Sequence, residues 1–183
     1  KFDDRTMFWV MKKDVVFIPA CGFICMMSPD LKLSRKMELD YDNIVKSIKK
    51  IKKGIIIITP EGTRFTPKKQ LKALEYSKKN NLPLFKHTLY PKMKGLWTII
   101  NILKKEGRLG NLIDFSNIVE NFKNKKAHLP QLLTNDLGRT FSIIHSYSIP
   151  QDKSLEKYDD FKNWFLEIWK NKNNTLEHYN HYT

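Results

Sequence analysis

The stretch that decides the fold is Ile55-Ile56-Ile57-Ile58-Thr59-Pro60-Glu61-Gly62-Thr63-Arg64-Phe65-Thr66. Four consecutive isoleucines predict a strand buried inside a sheet, because β-branched side chains suit a covered, pleated surface. The run stops at Thr59-Pro60, and a turn-like segment carries Glu61, Gly62, Thr63 and Arg64 past the strand's C-terminal edge. In open α/β sheets that edge is where ligand sites lie. Gly62 lets the backbone turn tightly or approach a ligand. Arg64 offers a rigid, permanently charged fork suited to a phosphate. Glu61 is placed to orient Arg64 or to anchor the loop. An ordinary surface turn with a solvated ion pair competes for the same residues.

Working outward, the flanks alternate. Asp40 to Lys53 predicts a helix with Ile44, Val45, Ile48 and Ile51 on one face, Asp40 or Asp42 as its cap and Gly54 as its stop. Thr66 and Pro67 open a second helix running to about Lys79, closed by Asn80 and Asn81. Val15–Ile18, Leu84–Leu89, Asn111–Phe115 and Thr140–Ser146 predict strands, and Gly95–Lys104 a helix. A C-terminal helix over about residues 155–172 carries Phe161, Trp164, Phe165, Ile168 and Trp169 as one apolar stripe, best read as core. Strands alternating with helices predict an α/β fold, a mixed sheet flanked by helices. No repeat and no Pro/Gly/Ser linker divides residues 1–183, so one domain is expected.

Composition narrows the functional classes. The 183 residues are 41% hydrophobic and 12% aromatic, enough for a packed core and unlike a disordered tail. Two cysteines exclude a disulfide scaffold, and no metal-ligand spacing is visible. The net charge of +14 points to an anionic partner. Lysine dominates that charge, as a codon bias would make it; arginine occurs at five positions only. Arg35, in Ser34-Arg35-Lys36, and Arg64 therefore stand out as two arginines on separate loops, able to clamp one phosphate. Nucleic acid is unsupported by any motif, because the aromatics fall on apolar faces and not among the basic runs. The longest uncharged run, Val15–Pro29, is too short to span a membrane and is broken by Pro19 and Gly22.

Three blocks resemble the glycerophospholipid acyltransferase family, which includes the 1-acylglycerol-3-phosphate and lysocardiolipin acyltransferases. They are Val16-Phe17-Ile18-Pro19 to Gly22 followed by Ser34-Arg35-Lys36, then Pro60 to Thr66, then Leu84 to Gly95. Leu112-Ile113-Asp114, the Asn124–Leu133 loop, Ser148–Pro150 and the Trp164–Tyr179 helix follow in the family's order. The resemblance implies transfer of a fatty acyl group from acyl-CoA to a lysophospholipid hydroxyl, with acyl-CoA as substrate and no cofactor or metal. It implies Arg35 and Arg64 on the acceptor phosphate, Glu61, Gly62 and Thr63 shaping that site, and Pro91 on the acyl-donor side. It also implies attachment to the cytosolic face of an intracellular membrane such as the endoplasmic reticulum.

One departure is large. The family's catalytic His-x4-Asp block is absent: none of His87, His128, His145, His178 and His181 has Asp five positions later. The expectation is thus an N-terminally truncated acyltransferase-like domain with no catalytic residue of its own, inactive as this chain alone. The alternative is a non-catalytic lipid-headgroup or membrane-surface module, using the same arginines, the Lys46–Lys53 helix face and the apolar Val15–Pro29 run.

Overall fold

The computed structural model describes residues 6–17, 21–28, 30–34, 37–119 and 140–180. Pro19, Arg35, Lys36, His128, His181 and the Asn124–Leu133 loop lie outside the described residues. Three parallel strands, β1 (Thr6–Lys12), β2 (Leu31–Leu33) and β3 (Gly54–Ile57), lie in the order β2-β1-β3. β1 pairs through Thr6–Trp9 with Gly54–Ile57 of β3, and through Val10–Lys12 with Leu31–Leu33 of β2. This order places the isoleucine strand at one edge, and the run is covered on one side only. Ile56 packs into the core, whereas Ile55 is 40% exposed.

Helix α1 (Cys21–Met27) joins β1 to β2, and α2 (Met37–Lys50) returns over β1 to β3. Right-handed crossovers stepping in opposite directions put their helices on opposite faces of a sheet. α2 covers the face of Phe8, burying Ile44 and Ile48 completely against Leu31 and Phe8. On the opposite face, among the described residues, Met7 and Trp9 stay exposed.

Helix α3 (Pro67–Lys79) follows the Glu61–Arg64 turn, and its predicted bounds match residue for residue. Pro67 needs no hydrogen-bond partner at the first helical position, and the Thr66 hydroxyl accepts from the Lys69 amide at 3.4 Å. Thr66→Ala is expected to remove about 1 kcal/mol, read as a lower urea midpoint at unchanged slope. An unchanged midpoint would show that the cap contributes nothing.

Helix α4 (Lys94–Lys105) is the centre of the molecule. Ile99 and Ile102 join the core under α2, while Leu96 and Ile100 join a second core built on α5 (Tyr158–Asn180). In that second core Phe161, Phe165 and Trp169 stack in series, with ring centroids 5.8 and 5.7 Å apart. β4 (Leu112–Val119) and β5 (Thr140–Tyr147) form a separate antiparallel ribbon.

Several expectations are corrected. The strand expected over Val15–Ile18 is not found at its described residues, 15–17; Lys13–Phe17 is a 3-10 turn, formed once the chain has left the sheet at Lys12. Leu84–Leu89 is a loop, with no strand among the described residues to complete a ladder. Asp40 is no cap. It lies within α2, buried, and its carboxylate accepts from the Ser34 amide and hydroxyl, both at 2.8 Å. The C-terminal helix begins later and runs further than residues 155–172, and Gly54 starts a strand where it was expected only to stop a helix.

Candidate functional site

β1 connects to β2 in one direction and the chain then returns past β1 to β3, so the sheet's switch point lies between β1 and β3. A crevice outside the C-terminal strand ends at such a point is the preferred ligand position of open α/β sheets. Two segments leave that edge: Lys12-Lys13 after β1, and Thr59–Arg64 after β3.

The Thr59–Arg64 turn is held by backbone bonds on both sides. The Gly62 amide donates to the Thr59 carbonyl at 2.9 Å, and the Lys92 amide donates to the Pro60 carbonyl at 2.8 Å. Gly62 has φ of +64°, in the left-handed region where a side chain is strained. A Cβ there would meet the aliphatic stem of Lys92 at 3.5 Å. The turn thus needs glycine for its conformation and not for space, since that contact is an ordinary one.

Glu61 points inward, half-buried, and Arg64 stays exposed. Burial pushes the Glu61 carboxyl above its ordinary value; a backbone hydrogen bond at Leu89 and the charge of Lys172 oppose that rise. Glu61 therefore anchors the loop. Thr63 is exposed, and its hydroxyl accepts from the Lys69 ammonium, which also reaches the Arg64 carbonyl at 3.5 Å. Lys69 and Lys92 both meet this loop, so it carries positive charge beyond that of Arg64. Pro91 is fully buried beside Lys92, next to the loop, on the segment that holds Pro60. Arg35, its expected partner across the phosphate, lies outside the described residues; Ser34 beside it is fixed by Asp40.

Helix α5 supports this site from behind, which no local pattern announced. The Trp169 indole donates to the Leu89 carbonyl at 3.0 Å, so one residue is hydrogen-bonded on both sides, by Glu61 and by Trp169. The Asn173 carboxamide accepts from the His87 amide at 3.0 Å. Lys172 pairs with Asp114 at 2.6 Å, both side chains only 12% exposed, and reaches the Phe115 carbonyl at 3.2 Å. Asp114 and Lys172 stand 58 residues apart in the chain, and each is one charge among many.

A polar cleft of about 530 Å³ runs along β2 and α2, lined among others by Lys13, Lys32, Lys50, Asp30, Asp40 and Asn43. It reaches the C-terminal strand ends at Lys13, after β1, and Ser34, after β2. A second cleft of the same volume lies at the far end of α3, between Asn81–Pro83 and α5, away from the Glu61–Arg64 turn.

With this geometry in place, the relatives are informative. The chain is 26% identical over 174 residues to the 1-acyl-sn-glycerol-3-phosphate acyltransferase delta of Homo sapiens, covering 92% of this chain and 44% of that protein. The delta protein of Mus musculus is 25% identical over 173 residues, and the gamma protein of Homo sapiens 24% over 176 residues, with the same coverage. The chain therefore spans less than half the length of these curated relatives. No family model matches the chain, and no solved structure matches it significantly. The relatives, similar over nearly all of this chain, support an acyltransferase family of the 1-acyl-sn-glycerol-3-phosphate type.

Proposed function

We propose that this chain supplies the acceptor-phosphate side of a lysophospholipid acyltransferase. The reaction would join a fatty acyl group from acyl-CoA to the free hydroxyl of a 1-acyl-glycerol-3-phosphate-like acceptor. One observation carries the reading: the Pro60–Thr66 segment stands at the switch-point edge of a parallel sheet, in a chain similar to such acyltransferases along 92% of its length.

Chemically, the acceptor hydroxyl attacks the thioester carbonyl carbon, the carbon–sulfur bond breaks, and coenzyme A leaves as its thiol. The hydroxyl proton needs a base during attack. Lacking a general base typically costs about 10²–10⁴-fold in rate. None of the five histidines has the dyad spacing, so little or no turnover is expected from the 183-residue chain by itself. Its residues bind and orient. Arg64 and Arg35 hold the phosphate, Glu61 fixes the loop from beneath, Thr63 and Gly62 shape it, and Pro91 flanks the acyl-donor side. The acceptor would be met at the cytosolic face of an intracellular membrane, and among the described residues no helix is long and apolar enough to cross one.

The test compares phosphatidylcholine vesicles doped with 1-acyl-glycerol-3-phosphate against vesicles doped with monoacylglycerol. The chain should prefer the phosphate-bearing vesicles, and Arg64→Ala should weaken that preference by about tenfold or more, as loss of a charge-assisted bond predicts. Equal binding to both vesicles would discard the acceptor-phosphate reading. The alternative is a non-catalytic headgroup-binding module using the same loop, upheld if the preference survives while the protein expressed from its whole gene, given acyl-CoA, shows no transfer.

A further inference from the structure

The turn Lys13–Phe17 and helix α1 form a small apolar knob on the switch-point edge. Its inner side is fixed by packing: a Cβ on Gly22 would lie 2.1 Å from the Val16 carbonyl oxygen, so only glycine permits this contact. Gly22 is buried and Cys25, one turn on, is half-buried. The outer side is the reverse. Phe23, Met26 and Met27 are spaced to share one face of the helix, and they are 65%, 61% and 72% exposed. Phe17, at the end of the preceding turn, is 80% exposed beside them in sequence. A helix that is apolar all round is ordinarily covered on all sides. Among the described residues, this one is covered on one.

We infer that this outer face is a membrane-contacting surface, with Phe23, Met26, Met27 and Phe17 entering the lipid interface. Three observations select lipid as the occupant. The segment Lys12–Lys36 carries five basic residues against two acidic ones, and they flank the apolar run and do not interrupt it, as at an anionic bilayer surface. The exposed side chains offer no hydrogen-bonding group, so the face suits a medium without directional partners. The knob also leaves the sheet at the edge that carries Arg64. An acceptor with its phosphate at that edge would have its acyl chain in the bilayer that the knob touches; this third observation rests on the acceptor-phosphate reading, and the first two do not.

The experiment measures partition of the 183-residue chain onto phosphatidylcholine–phosphatidylserine vesicles, which contain no lysophosphatidic acid. Wild type should float with the vesicles at low salt, and F23D/M27D should partition about tenfold or more weakly. F23S/M27S, which adds no charge, should also bind more weakly. Arg64→Ala removes one surface charge and no apolar contact, so it should lose only a few-fold on these vesicles, and failure of the acceptor reading stays separable from failure of this one. Circular dichroism and the urea midpoint should be unchanged in both double variants, since the replaced side chains are exposed. Undiminished flotation of F23D/M27D would overturn the inference. So would a wild-type dimer in solution that F23D/M27D dissociates while vesicle binding is absent, because the face would then be covered by a second copy of the chain.

Discussion

Replacing Trp169 by alanine should destabilise the chain by about 3–5 kcal/mol, the usual loss for truncating a buried aromatic residue. The side chain is 4% exposed, stacks on Phe165, and sits in the core shared by α4 and α5. Its removal leaves a cavity and also orphans the Leu89 carbonyl, which lies beside Glu61. Trp169→Phe keeps most of the packing and loses only the indole donor, so about 1 kcal/mol is expected from it. Urea unfolding of both variants checks the pair of values. A cost below 1 kcal/mol for Trp169→Ala would mean that α5 does not hold this segment in place. The alanine variant should lose the preference for phosphate-bearing vesicles together with its fold, because the segment it releases holds Pro60 through Lys92.

Lys172→Met should cost about 3 kcal/mol, for a different reason. The ammonium is the ion partner of Asp114, it bonds the Phe115 carbonyl, and it lies 5.4 Å from the centre of the Trp169 ring. Removing it leaves a carboxylate that is almost covered and whose second oxygen already lacks a partner. The loss therefore comes from stranding Asp114, and Asp114→Asn combined with Lys172→Met should recover most of it. Lys172→Arg should rescue partly. A double variant no more stable than Lys172→Met would locate the cost elsewhere.

The pH dependence has a definite sign. Burial raises the Glu61 carboxyl above its unfolded value, so the native state binds that proton more tightly than the unfolded chain does. Its contribution to stability is present in acid and is lost as pH rises through the raised value. Lys172 opposes the rise, so Lys172→Met should move that loss to higher pH. Stability of the variant measured across the acidic range gives this as a displaced inflection.

The segment that decides the fold was legible because its signals are local. Isoleucines, Pro60, Gly62, Thr66 and Pro67 each impose a backbone preference on their own neighbours, and the turn and α3 follow. β1 is hidden in the sequence because both its faces are apolar: Met7 and Trp9 on the open side mask the alternation that Phe8 and Val10 would show. β2 has three residues and exists only by pairing with β1. Leu84–Leu89 has a strand's composition, yet its backbone groups bond to side chains of Asn173 and Trp169 that arrive from 86 and 80 residues away. The same holds for the site. Glu61, Gly62, Thr63 and Arg64 could be named from spacing, whereas Lys172 and Asp114 matter only once α5 has docked.

Helix α4 carries a consequence for how the molecule comes apart. Ile99 and Ile102 belong to one core, Leu96 and Ile100 to the other, and Ile58 touches both at the root of the Glu61–Arg64 turn. A single rigid rod thus serves as a party wall. Fraying it opens both rooms at once, so neither half has a stable partly melted form in which the other survives, and the turn at their junction is lost in the same cooperative event.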